Sequence, residues 1–129
     1  LCYSGKYTEK EIYKKICGNG GFNGYMGTND MRDLVKMKAE GNQDAANLID
    51  AFHYQIAKDA GAMAAVLDGK VDQIICTGGI AYNAETIDAL KAKLGFIADF
   101  TVYPGEDELL ALAQGALRVM NGEEEAKVY

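Results

Sequence analysis

The chain reads as an α/β protein with parallel strands joined by crossover helices. Three observations lead there. Two short β-branched or aromatic runs, Val71–Cys76 and Phe96–Tyr103, are each bounded by glycine or proline turns. Helical periodicity fills the chain before, between and after them. The resulting order, helix–strand–helix–strand–helix, calls for a parallel pair with helices as connections. Two strands are few for a parallel sheet, which is covered on both faces and has more members. A chain that starts at Leu1 is therefore expected to be a processed product, the C-terminal part of something larger, or a chain that pairs with a second copy as a homo-oligomer.

The centre of the chain is Val71-Asp-Gln-Ile-Ile-Cys-Thr-Gly-Gly-Ile-Ala-Tyr-Asn83. Val71, Ile74 and Ile75 predict a buried strand that breaks at Thr77-Gly78-Gly79. Asn83 then caps a helix with Ala84, Ile87, Leu90 and Leu94 along one face. Strand, glycine turn and helix start bring bare N–H groups up to a phosphate or sugar. Glycine suits such a turn because a Cβ blocks the ligand or forbids positive φ. A plain strand-to-helix turn has the same spacing.

Upstream, Thr8-Glu-Lys-Glu11 has capping-box spacing and opens a short helix with Ile12 and Ile16 inward, ending at Cys17-Gly18. Gly18-Asn-Gly-Gly-Phe-Asn-Gly-Tyr-Met-Gly27 holds five glycines in ten residues. Such a run predicts a loop, disordered or wrapped around a ligand or another segment, rather than a helix or strand. Thr28 or Asn29 caps the next helix, which runs to about Ala39 with Met31, Leu34 and Val35 apolar. Asp30 and Asp33 suit its positive end and Arg32 does not. Arg32 is either a solvated surface residue or a partner for an anionic ligand.

A long helix is expected from Gln43 to Leu67, packed on the sheet. Its stripe is Ala45, Ile49, Phe52, Ile56, Ala60, Met63 and Leu67, widened by Leu48 and Ala64. Gly61 costs about 1 kcal/mol there relative to alanine, which predicts close backbone packing. His53 lacks any partner at metal-ligand spacing and reads as structural or surface. After Gly95, a C′ stop, and the second strand, Pro104-Gly105 turns the chain. A last helix starts near Asp107, with Leu109, Leu110, Leu112, Ala113, Ala116, Leu117 and Met120 apolar, and Asn121-Gly122 ends it. Residues 123–129 form a charged tail expected to fray. Glu106, Asp107 and Glu108 either complement that helix's dipole or hold Mg²⁺, mostly through water.

Composition narrows the class of function. The 129 residues suit one domain, 49% of them are hydrophobic, and the net charge is -6. That charge repels nucleic acid and acidic membranes. Neither a signal peptide nor a membrane span is readable. Cys2, Cys17 and Cys76 make an odd set without C-x-x-C, which reads as a reducing cytoplasm, with Cys76 a buried small hydrophobe.

Leu1-Cys-Tyr-Ser-Gly-Lys-Tyr-Thr8, Gly27–Asp33, Thr77–Asn83, Tyr103-Pro-Gly-Glu-Asp-Glu-Leu109 and Ala111–Arg118 appear in the order of a known family. Over essentially its whole length the chain resembles the C-terminal part of the acetate/butyrate kinase (acetokinase) family. That resemblance implies an actin/hexokinase-type ATPase fold of two ribonuclease-H-like domains, of which residues 1–129 would be the C-terminal portion of the second. It implies transfer of the ATP γ-phosphoryl group to a short-chain fatty acid carboxylate, with Mg²⁺. It places nucleotide contacts at Asp30, Met31 and Arg32 and on the turn Gly78, Gly79, Ile80, Ala81, Tyr82 and Asn83. It assigns the metal to Asp107, with Glu106 and Glu108 beside it. Ala81 and Tyr82 replace a Gly-Glu pair of the acetate kinases, so those contacts need not be identical. The family's phosphate-binding first domain and its acyl-binding residues lie outside this stretch, which alone is not expected to turn over. Two other readings compete: a non-catalytic binding or assembly module, and a non-kinase member of the same ATPase superfamily. The matches at Gly27–Asp33 and Tyr103–Leu109 separate the kinase from the second of these.

Overall fold

The computed structural model describes residues 1–128, and only the last position of the expected tail lies outside them. Six helices and two strands follow one another: α1 (Glu9–Ile16), α2 (Gly21–Met26), α3 (Met31–Ala39), α4 (Gln43–Val66), β1 (Gln73–Gly78), α5 (Ala84–Leu94), β2 (Asp99–Pro104) and α6 (Glu108–Met120). A 3₁₀ turn, Gly79–Tyr82, links β1 to α5.

β1 and β2 pair in parallel, from Gln73 opposite Asp99 to Gly78 opposite Pro104. The parallel pair matches the expectation. Both strands start later than the apolar runs suggested, because Val71, Phe96 and Ile97 lie in the connections. β1 is not buried within this chain: Ile75 is 60% exposed. At the far end Gly78 and Gly105 exchange two backbone hydrogen bonds, each 3.1 Å. That antiparallel bridge ties the turn after β1 to the turn after β2.

The main core lies among helices. Met31, Leu34 and Ile49 are buried, with Phe22, Met26, Val35, Leu48 and Phe52 packed around them. α4 packs against α3 and α5 rather than laying its main face on the sheet, a correction to the expected arrangement. Ile87, Leu90 and Leu94 of α5 are buried as their spacing predicts. Lys38 of α3 and Glu85 of α5 form an ion pair. His53 is buried, its Nε2 3.1 Å from Thr86 Oγ1, so of the two roles its sequence context left open, structural or surface, it has the structural one. Burial holds its pKa below the usual 6.5. The stability it contributes is complete above the unfolded-state value and falls as pH drops below it. Replacing Thr86 by Val strands the imidazole, and the expected loss is about 1–3 kcal/mol in denaturant unfolding. Adding His53→Leu recovers most of it; an unchanged midpoint in the single variant contradicts the pair's role.

Several expectations fail in informative ways. The glycine run is not a loop throughout: Gly21–Met26 is a helix. Phe22 and Met26, one helical turn apart, both pack on the core, and that burial outweighs the glycine entropy cost. Gly27, at φ 73°, ends the helix in the left-handed conformation. Asp30, not Thr28 or Asn29, caps α3. Thr28 instead accepts from the Asp30 N–H and donates to Asp33 Oδ2. Gly95 ends α5 without the left-handed turn of a C′ glycine, at φ −62°. A Cβ on Gly61 would stand in open space, so close backbone packing does not explain that glycine. Ile16, Met63 and Leu67 are exposed although their spacing places them on apolar faces. Every residue of α6 is exposed or half-buried, including Leu109, Leu112 and Met120. In each case the periodicity is right and no covering element is supplied by these residues.

Candidate functional site

Three backbone turns converge on one side of the molecule around an open cleft of about 740 Å³. The first is the start of α3. The Asp30 carboxylate accepts from the Arg32 backbone N–H at 2.9 Å, which caps the helix. It also accepts from the Arg32 side chain, with Nη2 2.5 Å from Oδ2. The helix dipole would repel Arg32 at this position, and the Asp30 clamp offsets that. The Arg32 side chain stays 90% exposed beside the cleft. Its hydrogen bonds, with help from the backbone N–H, hold the Asp30 carboxyl at a pKa of about 2. The same partner raises Arg32.

This pairing has a measurable pH consequence. The folded pKa is depressed, so the contribution is present above the unfolded value and is lost as pH falls through about 2. Carboxyl NMR is expected to find the Asp30 midpoint near that value and to find it raised in Arg32→Ala. A midpoint in the ordinary carboxylate range in the unsubstituted protein contradicts the clamp.

The second turn is Gly78–Asn83. Gly78 sits at φ 85° and ψ 178°, a conformation open essentially to glycine alone. Gly79 is different: a Cβ there meets nothing within 4 Å. Gly78 therefore makes the bend, while Gly79 leaves space on the cleft side. Ile80 and Tyr82 project from the same turn and line the cleft. Ala81 points the other way and is 4% exposed, so its side chain belongs to the core. Asn83 caps α5 as expected, accepting from the Thr86 N–H at 2.9 Å. It also borders the cleft.

The third turn carries the carboxylates. Glu106 lines the cleft together with Asp30 and Arg32. Asp107 and Glu108 share a neighbouring hollow of about 430 Å³ with Glu106. Asp107 stands at the N-cap of α6, yet its side chain makes no capping hydrogen bond among the described residues. Among those residues no three His, Cys, Asp or Glu side chains converge as a ready-made metal cluster. Mg²⁺ needs less, since it keeps its waters and takes one or two carboxylates besides substrate phosphates. The hard oxygen donors of this turn fit that requirement. The bridge between Gly78 and Gly105 joins the acidic turn to the glycine turn, and the Tyr82 ring lies against Gly105.

The cleft thus brings together Asp30, Met31, Arg32, Gly79, Ile80, Tyr82 and Asn83, residues far apart in sequence that were singled out beforehand. Two further lining residues, Phe22 and Asn29, were not expected as ligand contacts, Asn29 reading only as a candidate cap of α3. Phe22 lay inside a segment read as glycine loop. The signal that could have found it is its four-residue spacing to Met26.

Residues 3–125 match the sequence profile of the acetokinase family. The chain belongs to that family. Its relatives within it include butyrate kinase 2 of Clostridium acetobutylicum, 60% identical over 129 residues. A probable butyrate kinase of Clostridium botulinum is 55% identical, and probable butyrate kinase 2 of Caldanaerobacter subterraneus is 51% identical. All of this chain is matched in each case, but only 36% of each relative. The acetokinase match spans all three turns of the cleft, since Asp30, Gly79 and Glu106 all fall within it. Among the described residues no helix is long and apolar enough to cross a membrane.

Proposed function

We propose that this chain is the nucleotide-binding part of an ATP-dependent acyl kinase that makes an acyl phosphate from a short-chain fatty acid, with butanoate as the substrate. One observation carries the reading: the start of α3, the Gly78–Asn83 turn and Glu106 meet on one cleft in a chain matched to the acetokinase family almost end to end. The specific fold belongs to the same proposal, namely the C-terminal portion of the second ribonuclease-H-like domain. The exposed β1 face and the apolar row of α6 then pack against the rest of a longer polypeptide or a second copy. A cytoplasmic setting belongs to it too.

Phosphoryl transfer asks the protein for positioning and charge neutralisation more than for covalent chemistry. In this reading Gly79 admits the nucleotide to the backbone of the turn, because nothing fills the space where its Cβ would stand. Arg32, oriented by its ion pair with Asp30, turns its remaining guanidinium N–H groups to phosphate oxygens. The carboxamide nitrogen of Asn83 is available for the ligand, since its oxygen is committed to the α5 cap. Asp107, with Glu106 beside it, would hold Mg²⁺, which neutralises phosphate charge when bound. The acyl-binding groups are assigned to the longer polypeptide.

The test is direct. The full-length polypeptide is incubated with ATP, Mg²⁺ and butanoate, and acyl phosphate is trapped with hydroxylamine. Hydroxamate formation that depends on all three is expected. Nucleotide binding without any acyl phosphate, across short-chain acids, refutes the kinase reading and favours a non-kinase member of the superfamily.

A further inference from the structure

Phe22 stands where a flat ligand surface would be useful and has a reason to stay there. It begins the first turn of α2, a helix entered through Gly21 at φ 54° and left through Gly27 at φ 73°. These two left-handed glycines let a six-residue helix fold back onto α3 and α4. The ring packs on the Met31, Leu34 and Ile49 cluster. Its centroid lies 5.2 Å from that of Phe52, with the planes tilted by 53°. Such aromatic packing fixes ring orientation. Yet Phe22 is only half-buried, and it also lines the cleft with Ile80 and Tyr82. A supported aromatic ring partly open to the cleft is pre-organised for stacking.

We propose that Phe22 forms the wall against which the base of the bound nucleotide lies, making α2 part of the nucleotide site. The proposal rests on the kinase reading above and deepens it. The ligand's chemistry follows from the cleft. The open cleft, about 740 Å³, has room for a nucleoside. Its charged groups, the Asp30–Arg32 pair and Glu106, lie on the turns that would meet phosphates and their counter-ion. Phe22, Ile80 and Tyr82 supply the apolar surface a heterocycle needs. Base–aromatic stacking tolerates any base, so Phe22 contributes affinity more than choice among nucleotides.

The experiment compares Phe22→Leu and Phe22→Tyr in the full-length polypeptide. ATP and inorganic tripolyphosphate binding are measured by calorimetry, and KM for butanoate is measured alongside. Phe22→Leu is expected to weaken ATP about tenfold, equivalent to ~1.4 kcal/mol. It leaves tripolyphosphate affinity and the butanoate KM unchanged, and Phe22→Tyr restores ATP binding. If Leu loosens the core, Phe22→Met gives the same comparison with a flexible side chain that adapts to the gap left by the ring. Unchanged ATP affinity overturns the proposal. So does an equal loss for ATP and tripolyphosphate, or a rise confined to the butanoate KM. Wild-type polypeptide that forms acyl phosphate while these outcomes occur leaves the kinase reading standing; wild-type polypeptide that forms none removes both.

Discussion

Gly79→Val in the full-length polypeptide is expected to lower nucleotide affinity by about tenfold or more, ~1.4 kcal/mol, with little change in stability. The two adjacent glycines separate these effects. At Gly79 an added Cβ touches no protein atom, so the fold tolerates it. Surface substitutions of that kind usually stay within about 0.5 kcal/mol. The added isopropyl group would instead occupy space beside the turn's backbone, where the ligand is proposed to sit. Gly78→Val is the contrasting variant. Its φ of 85° with ψ of 178° is denied to a β-branched residue. The strain costs on the order of 1–3 kcal/mol and falls on the residue that bridges to Gly105. Gly78→Val therefore loses stability first and binding as a consequence. Calorimetry and thermal unfolding on both variants make the comparison. Unchanged ATP affinity in Gly79→Val removes the turn from the site.

The second large effect is expected at Asp107. A dipole role alone is worth about 0.3–1 kcal/mol of stability and leaves turnover nearly untouched. The structure weakens that role further, since Asp107 makes no capping hydrogen bond among the described residues. A carboxylate that orients Mg²⁺ or its waters contributes to turnover directly, so Asp107→Asn should lower turnover by about an order of magnitude or more. It should also shift the Mg²⁺ dependence to higher concentration. Wild-type turnover with an unchanged Mg²⁺ curve returns Asp107 to a structural role. Glu106→Gln is the necessary companion, because Glu106 is the acidic residue of this turn that borders the cleft. A larger effect there than at Asp107 moves the metal assignment by one position.

Local signals proved legible where local physics decides. The capping box at Thr8 and Glu11 forms as its spacing requires, and so do the Asn83 cap and the parallel pairing. The cleft was foreshadowed because its residues lie in three short motifs, each with its own turn chemistry. The reading failed where tertiary contacts override composition. Gly21–Met26 looked like loop because five glycines outvote two apolar side chains in any local count, yet Phe22 and Met26 anchor it. It also failed where an apolar stripe promised burial: Leu112 and Met120 follow helical spacing and remain exposed. Periodicity reports which face seeks cover and is silent on what provides it. The Asp30–Arg32 clamp was half visible. The charge conflict at the helix start was evident, but its resolution two residues away needed side-chain geometry.

The most direct measurement is a crystal structure of the full-length polypeptide with ADP and Mg²⁺. The adenosine is expected in the cleft, against the backbone of Gly79–Asn83, with phosphates toward Arg32 and the base against Phe22. Nucleotide bound elsewhere, with this cleft filled by another part of the protein, would contradict it.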